Sequence, residues 1–281
     1  MKQVIRKITL LGCFCTVLIT TALMARGGTL TFSNTNFITI NEDANTNVNV
    51  ETIASPYPSS LTVTGLTSQV TTKVTVTLKN FTHPFPSDVN ILLVGPQGQM
   101  GILMSDVGGS SQQFSVTNLV ITLDDGAPST LPVNAAFTTG TFRPNTFNTN
   151  APLDFSFQSP APAGNSNAAV ALSMFKNIDP SGTWNLFVVA DSLGDQGSIS
   201  GGWSLNVSFV PPQLAIAPVP PNYQLSWPAT AQNYLLQSTS NLLDPNSWTV
   251  LTNATNVVLN RFVVSVPLST NGNKFFRLMY H

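Results

Sequence analysis

The chain is short of cysteine, histidine and charge, and each shortage closes off some chemistry. Of 281 residues only Cys13 and Cys15 are cysteines, and both lie in an N-terminal stretch that reads as a leader to be removed. The remaining chain is then expected to hold no disulfide, no thiol nucleophile and no cysteine-ligated metal. The two histidines are His83 and the terminal His281, and no serine sits in a G-x-S-x-G turn. A Ser-His-Asp relay would therefore depend on His83 alone, in a loop better suited to capping a turn. Charged residues make up 8 % of the chain. Polarity rests instead on Thr, Ser and Asn, which suit strands and turns better than helices. No long amphipathic helical period is present; "NAAVALSMFKN" (Asn167–Asn177) offers at most a short turn. Disorder is excluded too, because 42 % hydrophobic residues can supply a core.

Positive charge is scarce where the chain is longest. Between Leu30 and Val210 eleven acids face four bases, a balance of −7, whereas from Pro211 onward one acid faces three bases. A basic nucleic-acid surface is thereby excluded, and the first region is mildly favourable to cations.

What is present begins with "MKQVIRKITLLGCFCTVLITTALMARGG". Lys2, Arg6 and Lys7 precede an uncharged run from Ile8 to Met24, with small residues at Ala22 and Ala25. This layout predicts a secretory signal peptide over residues 1–25, cleaved after Ala22 or Ala25. The apolar run is short for a membrane span and is diluted by threonines. "LLGC" at Leu10–Cys13 suggests a lipoprotein box, but most of the apolar core follows that cysteine.

Strand patterns dominate beyond the leader. Val74, Val76 and Leu78 alternate with Thr75, Thr77 and Lys79, and Trp203, Leu205, Val207 and Phe209 alternate with Ser204, Asn206 and Ser208. In "TWNLFVVAD" both parities are apolar, as they are in Val89–Val94. Period-2 runs bounded by Gly, Pro and Asn predict antiparallel strands, half-buried or, for the last two, buried on both faces. The fold class expected is all-β: a jelly-roll-like antiparallel sandwich over residues 30–210, followed by a small β module over 211–281. The proline-rich "PPQLAIAPVPPN" marks the boundary and is a connector able to lend an edge strand. The module is small for a lone core, but Trp227, Tyr234, Trp248, Phe262, Phe275 and Phe276 give it a dense aromatic content.

Five segments in one order carry a resemblance. They are "SPYPSSLTVTGL" (Ser55–Leu66), "KVTVTLKNFTHPFPSDVNILLVGPQGQ" (Lys73–Gln99), "ILMSDVGG" (Ile102–Gly109), "DPSGTWNLFVVAD" (Asp179–Asp191) and "DQGSISGGWSLNV" (Asp195–Val207). Together they resemble the P domain (P/Homo B) that follows the catalytic domain of proprotein convertases and stands in many bacterial secreted proteins. The resemblance implies a sandwich of about eight strands and, in some bacterial members, calcium. It departs from the convertases in having no subtilisin-type domain between the leader and the first strand. The C-terminal region, through "LSWPATAQNYLLQSTSNL" (Leu225–Leu242), Trp248 and "NKFFRL" (Asn273–Leu278), is similar to a short β module of planctomycete and verrucomicrobial secreted proteins and to a reduced fibronectin type III half-sandwich.

Calcium takes six to eight oxygen ligands, and the chain offers carboxylates where zinc would want His or Cys. Asp88 precedes the strand Val89–Val94, and Asp106 ends the strand after the "GPQGQMG" turn. If those strands form a hairpin, both acids lie at its outer end. Asp191 and Asp195, bracketing "SLG", complete the candidate metal set, against a plain alternative of turn formation and capping for each. Adjacent Asp124 and Asp125 would point to opposite faces of a strand, and Glu42–Asp43 sit in a polar loop, so neither pair makes an acid–base couple. Catalytic residues are accordingly not expected. The expected function is a secreted or cell-surface, non-catalytic binding or structural protein, calcium-stabilised, with an extracellular protein or polysaccharide as partner. It would bind no nucleic acid and keep no membrane span once the leader is removed. Two alternatives are a carbohydrate-binding module protein and an accessory subunit of a separately encoded subtilisin-type protease.

Overall fold

The computed structural model describes residues 27–41, 52–109, 112–147, 156–192, 194–267 and 273–280, and the backbone alone for 4–11 and 14–18. Its strands run β1 Val4–Leu11, β2 Phe14–Leu18, β3 Gly28–Asn34, β4 Ile38–Asn41, β5 Thr52–Ile53, β6 Ser59–Val63, β7 Val70–His83 and β8 Val89–Val94. They continue as β9 Met100–Ser105, β10 Val116–Leu123, β11 Gly140–Phe142, β12 Asn145–Thr146, β13 Gly182–Ala190, β14 Gln196–Ile199 and β15 Trp203–Val210. The last seven are β16 Ala215–Val219, β17 Asn222–Pro228, β18 Tyr234–Thr239, β19 Thr249–Val250, β20 Asn256–Val258, β21 Arg261–Pro267 and β22 Lys274–Tyr280.

Two sheets form a β-sandwich. One has the order β11-β10-β7-β14-β4, with β15 paired to both β7 and β3. The other has the order β12-β9-β8-β13-β5, with β6 also on β13. Pairing is antiparallel except at the short β10–β11 and β9–β12 contacts. The alternating apolar residues meet between the sheets: Val74, Val76, Leu78, Leu205 and Val207 from one pack with Ile91, Leu93, Trp184, Leu186 and Val188 from the other. Trp184 and Trp203 are both fully buried. Each indole N–H finds an oxygen, Trp184 the Pro180 carbonyl at 2.9 Å and Trp203 the Ser59 hydroxyl at 3.0 Å. These rings are core, so they form no sugar-stacking platform.

Strand β8 is buried at all six positions. Val89, Ile91 and Leu93 join the central core, while Leu92 and Val94 join an outer cluster with Ile102, Phe157, Phe187 and Val189. The outer cover comes from residues 156–178, a segment without periodicity. It contains two single-turn 3₁₀ helices, Asn165–Asn167 and Ser173–Phe175, in place of any longer helix. The Asp125 carboxylate ties it down by accepting the Leu172 and Ser173 amides at 2.9 and 2.7 Å.

Past Pro211 the chain builds a second apolar cluster from Leu225, Trp227, Leu236, Val264, Val266 and Phe276. It lies among a sheet ordered β16-β17-β21-β20 and the strands β19-β18-β22. The proline-rich connector does supply an edge strand, β16, where Pro218 can sit without a missing ladder donor. Strand β1 pairs with β2 and with β22. The expected cleavage positions Ala22 and Ala25 lie outside the described residues, as do Glu42 and Asp43. Among the described residues no helix is long and apolar enough to cross a membrane.

Candidate functional site

Three strand ends bring three of the four predicted aspartates, Asp88, Asp106 and Asp191, to one cavity, and Asp195 is not in its lining. Pro86, with its φ preset for a first helical turn, opens the 3₁₀ turn Pro86–Asp88, closed by the Asp88 amide on the Phe85 carbonyl at 3.0 Å. Asp88 therefore stands directly ahead of β8. Strand β13 pairs antiparallel with β8 through Ala190 and Val89, and the next pair outward is Asp191 with Asp88, joined by an amide–carbonyl bond of 3.0 Å. Strand β9 returns beside β8 with Met104 opposite Ile91, which leaves Asp106 just beyond its end. The hairpin geometry expected from the "GPQGQMG" turn is thus the one observed.

Asp88, Asp106 and Asp191 line a cavity of about 250 Å³ with Ser87, Asn134 and Phe147. Asp106 has a φ of +53°, a left-handed conformation that Asp tolerates better than most residues. Gly108 follows at φ +100°, where a Cβ would meet the Phe137 ring at 2.6 Å and Pro86 at 2.8 Å. The "VGG" after Asp106 is therefore a requirement of the loop's path.

Electrostatically the group is strained. Burial pushes the Asp88 carboxyl above its ordinary value; hydrogen bonds from Ser87 and Ser192 oppose this, and the charges of Asp195 and Asp106 add to it. Asp195 thus acts on the same loop end, and its charge also reaches His83. His83 is buried, with Nδ1 2.8 Å from the Phe85 carbonyl oxygen. It caps the turn, as its place in the loop suggested. Burial lowers its pKa, and the Phe85 contact and Asp195 offset part of that.

The lining suits a hard cation: three carboxylates, the Ser87 hydroxyl and the Asn134 carboxamide, with no thiolate. Bonded to Asp191 is Asn90, a fully buried residue in an aliphatic strand. Its Nδ2 donates to Asp191 Oδ2 at 2.9 Å, while its Oδ1 has no hydrogen-bond partner. Such an orphaned acceptor calls for an explanation. Among the described residues no group of three acidic, histidine or cysteine side chains stands close enough to hold a metal ion.

Sequence reasoning missed Asn90, Asn134 and Phe147. A lone asparagine inside "VNILLV" is a readable signal, because a strand buried on both faces should have no place for it. Asn134 and Phe147 come from the aperiodic stretch after β10, where nothing in the pattern points to a cavity wall. Other acids among the described residues are engaged elsewhere. Asp124 pairs with Lys73 at 2.7 Å and accepts the Gly126 amide at 2.8 Å, and Asp179 accepts the Ser68 and Ser181 amides at 2.5 and 2.9 Å.

No protein-family model matches the chain, and no curated protein does. Among solved structures it is similar to the complex of Aeromonas sobria serine protease and its chaperone, at 12 % identity and a TM-score of 0.26. That likeness covers 92 % of this chain and 28 % of the other. A second likeness, to the serine protease of Aeromonas sobria, has 11 % identity and a TM-score of 0.17, over 90 % of this chain and 27 % of the other. At these scores the likeness carries no argument about fold or function.

Proposed function

We propose that the chain is an exported, non-catalytic binding or structural protein, built on a P-domain-like sandwich whose Asp88 end holds calcium. The observation that carries the metal reading is the meeting of Asp88, Asp106 and Asp191 around one cavity, with the Asp195 charge beside them. A divalent cation would offset the burial and the neighbouring carboxylate charges that together raise Asp88. Export is supported by the basic-then-apolar N-terminus. The five ordered segments quoted above support the P-domain reading. A non-catalytic role is supported by His83, whose Nδ1 lies against the Phe85 carbonyl in a turn-capping position.

The mechanism is one of linkage: an ion bound by the folded state alone stabilises it and fixes the loops that reach the cavity. Calorimetric titration of the purified chain with calcium chloride tests this. One site per chain is expected, weakened at least tenfold by Asp106→Asn. Titrations without heat or saturation would leave turn formation as the whole role of these acids.

A further inference from the structure

The hairpin of β8 and β9 has two ends, and the second one meets the C-terminal module. At the turn end, about 20 Å from Asp88 by the rise of a six-residue strand, Gln97 and Asp179 of the sandwich join Ser68 to form one wall of a cleft. Gln232, Asn233 and Asn260 of the module form the facing wall, and the cleft encloses about 370 Å³. That volume falls within the range of small-molecule sites, which favour such seams between packed units.

The chemistry of the walls is narrow. Asp179 carries charge, but both of its oxygens are engaged by the Ser68 and Ser181 amides. What faces the cleft is therefore carboxamide and hydroxyl, each able to donate and accept. Anions would find no cation in this lining, and the engaged Asp179 leaves a metal ion little to hold. An apolar ligand would find only the methyls of Ala229 and Thr230. Neutral polyhydroxyl compounds, whose neighbouring hydroxyls also donate and accept, match this surface.

The walls are also held in place. Gln97 donates from Nε2 to the Asp179 carbonyl at 3.2 Å and accepts from Gln99 Nε2 at 3.0 Å. Asn233 Nδ2 donates across the seam to the Ser68 hydroxyl at 3.2 Å. Ser68 and Asn260, on opposite walls, both have left-handed backbones, with φ of +61° and +58°. Each sits in a tight turn, Ser68 in Leu66–Gln69 and Asn260 in the two-residue link between β20 and β21, which fixes its place in the wall.

We propose that this seam binds a neutral saccharide, with Gln97 and Gln232 as its principal contacts. The assignment does not rest on calcium, whose site lies at the other end of the hairpin. Ligand-observed saturation-transfer NMR of the full chain with cellotetraose, maltotetraose and xylotetraose, and with an acidic oligogalacturonate as control, tests it. At least one neutral tetraose should bind and the acidic one should not. The double variant Gln97→Ala, Gln232→Ala should weaken binding about tenfold or more while the chain stays folded at the assay temperature, as its melting curve would show. Binding should survive EGTA and Asp88→Asn, which keeps this result separate from the calcium result. Failure of all three neutral tetraoses, or binding unaffected by the double variant, would overturn the proposal.

Discussion

Asp124 and Asp88 are the same residue type near strand ends, and their surroundings move them in opposite directions. At Asp124 burial pushes the carboxyl up, but the Lys73 and Gly126 hydrogen bonds and the Lys73 charge outweigh it, and the net shift is downward. At Asp88 burial prevails and two neighbouring carboxylates reinforce it. A depressed folded value means that Asp124 contributes stability above its unfolded pKa of about 3.9, and that this is lost as pH falls through the folded value. The Lys73 side chain is 47 % exposed, so solvent screening limits the pair to about 1 kcal/mol at most. Asp124→Asn should therefore lower stability in urea melts at pH 7 by up to about 1 kcal/mol. The gap between variant and parent should close as pH approaches 3. A gap that persisted at low pH would mean that the packing, and not the charge, is what matters there.

At the scale of elements, β8 shows what a period of two can and cannot reveal. Its unbroken aliphatic run implied burial on both faces, and both are buried. Leu93 packs into the central core and Leu92 beneath the segment that contains Phe157. Leu92→Ala and Leu93→Ala should each cost about 2–5 kcal/mol, because each leaves a cavity in a close-packed layer. A cost near zero at Leu92, measured by chemical denaturation, would show that the outer cover is not formed in solution. The strands and the all-β class were legible because alternation and turn residues are local signals. The outer cover was not legible, because it is held by side-chain to backbone bonds at long range or in irregular chain. Asn165, for instance, accepts the Phe157 amide and donates to the Phe157 and Pro162 carbonyls. The site was partly legible for the same reason. Hairpin counting placed Asp88 and Asp106 at one end, but the walls contributed by Asn134 and Phe147 come from chain without a pattern.

At the scale of the whole molecule, one hairpin runs between two cavities whose linings differ in chemistry. Its open end gathers carboxylates, and its turn end meets the module across a seam of amides. The claim at the centre of this account is that the acidic end holds calcium, and thermal melting in excess calcium against EGTA tests it most directly. At a calcium concentration one hundred times the dissociation constant, the wild type should gain about 2.7 kcal/mol, or a rise of about 5–10 °C for a chain of this size. Asp88→Asn should lose most of that rise. In EGTA it should melt no lower than the wild type, because it removes a buried charge held beside two others. Identical wild-type midpoints in calcium and EGTA would contradict the account.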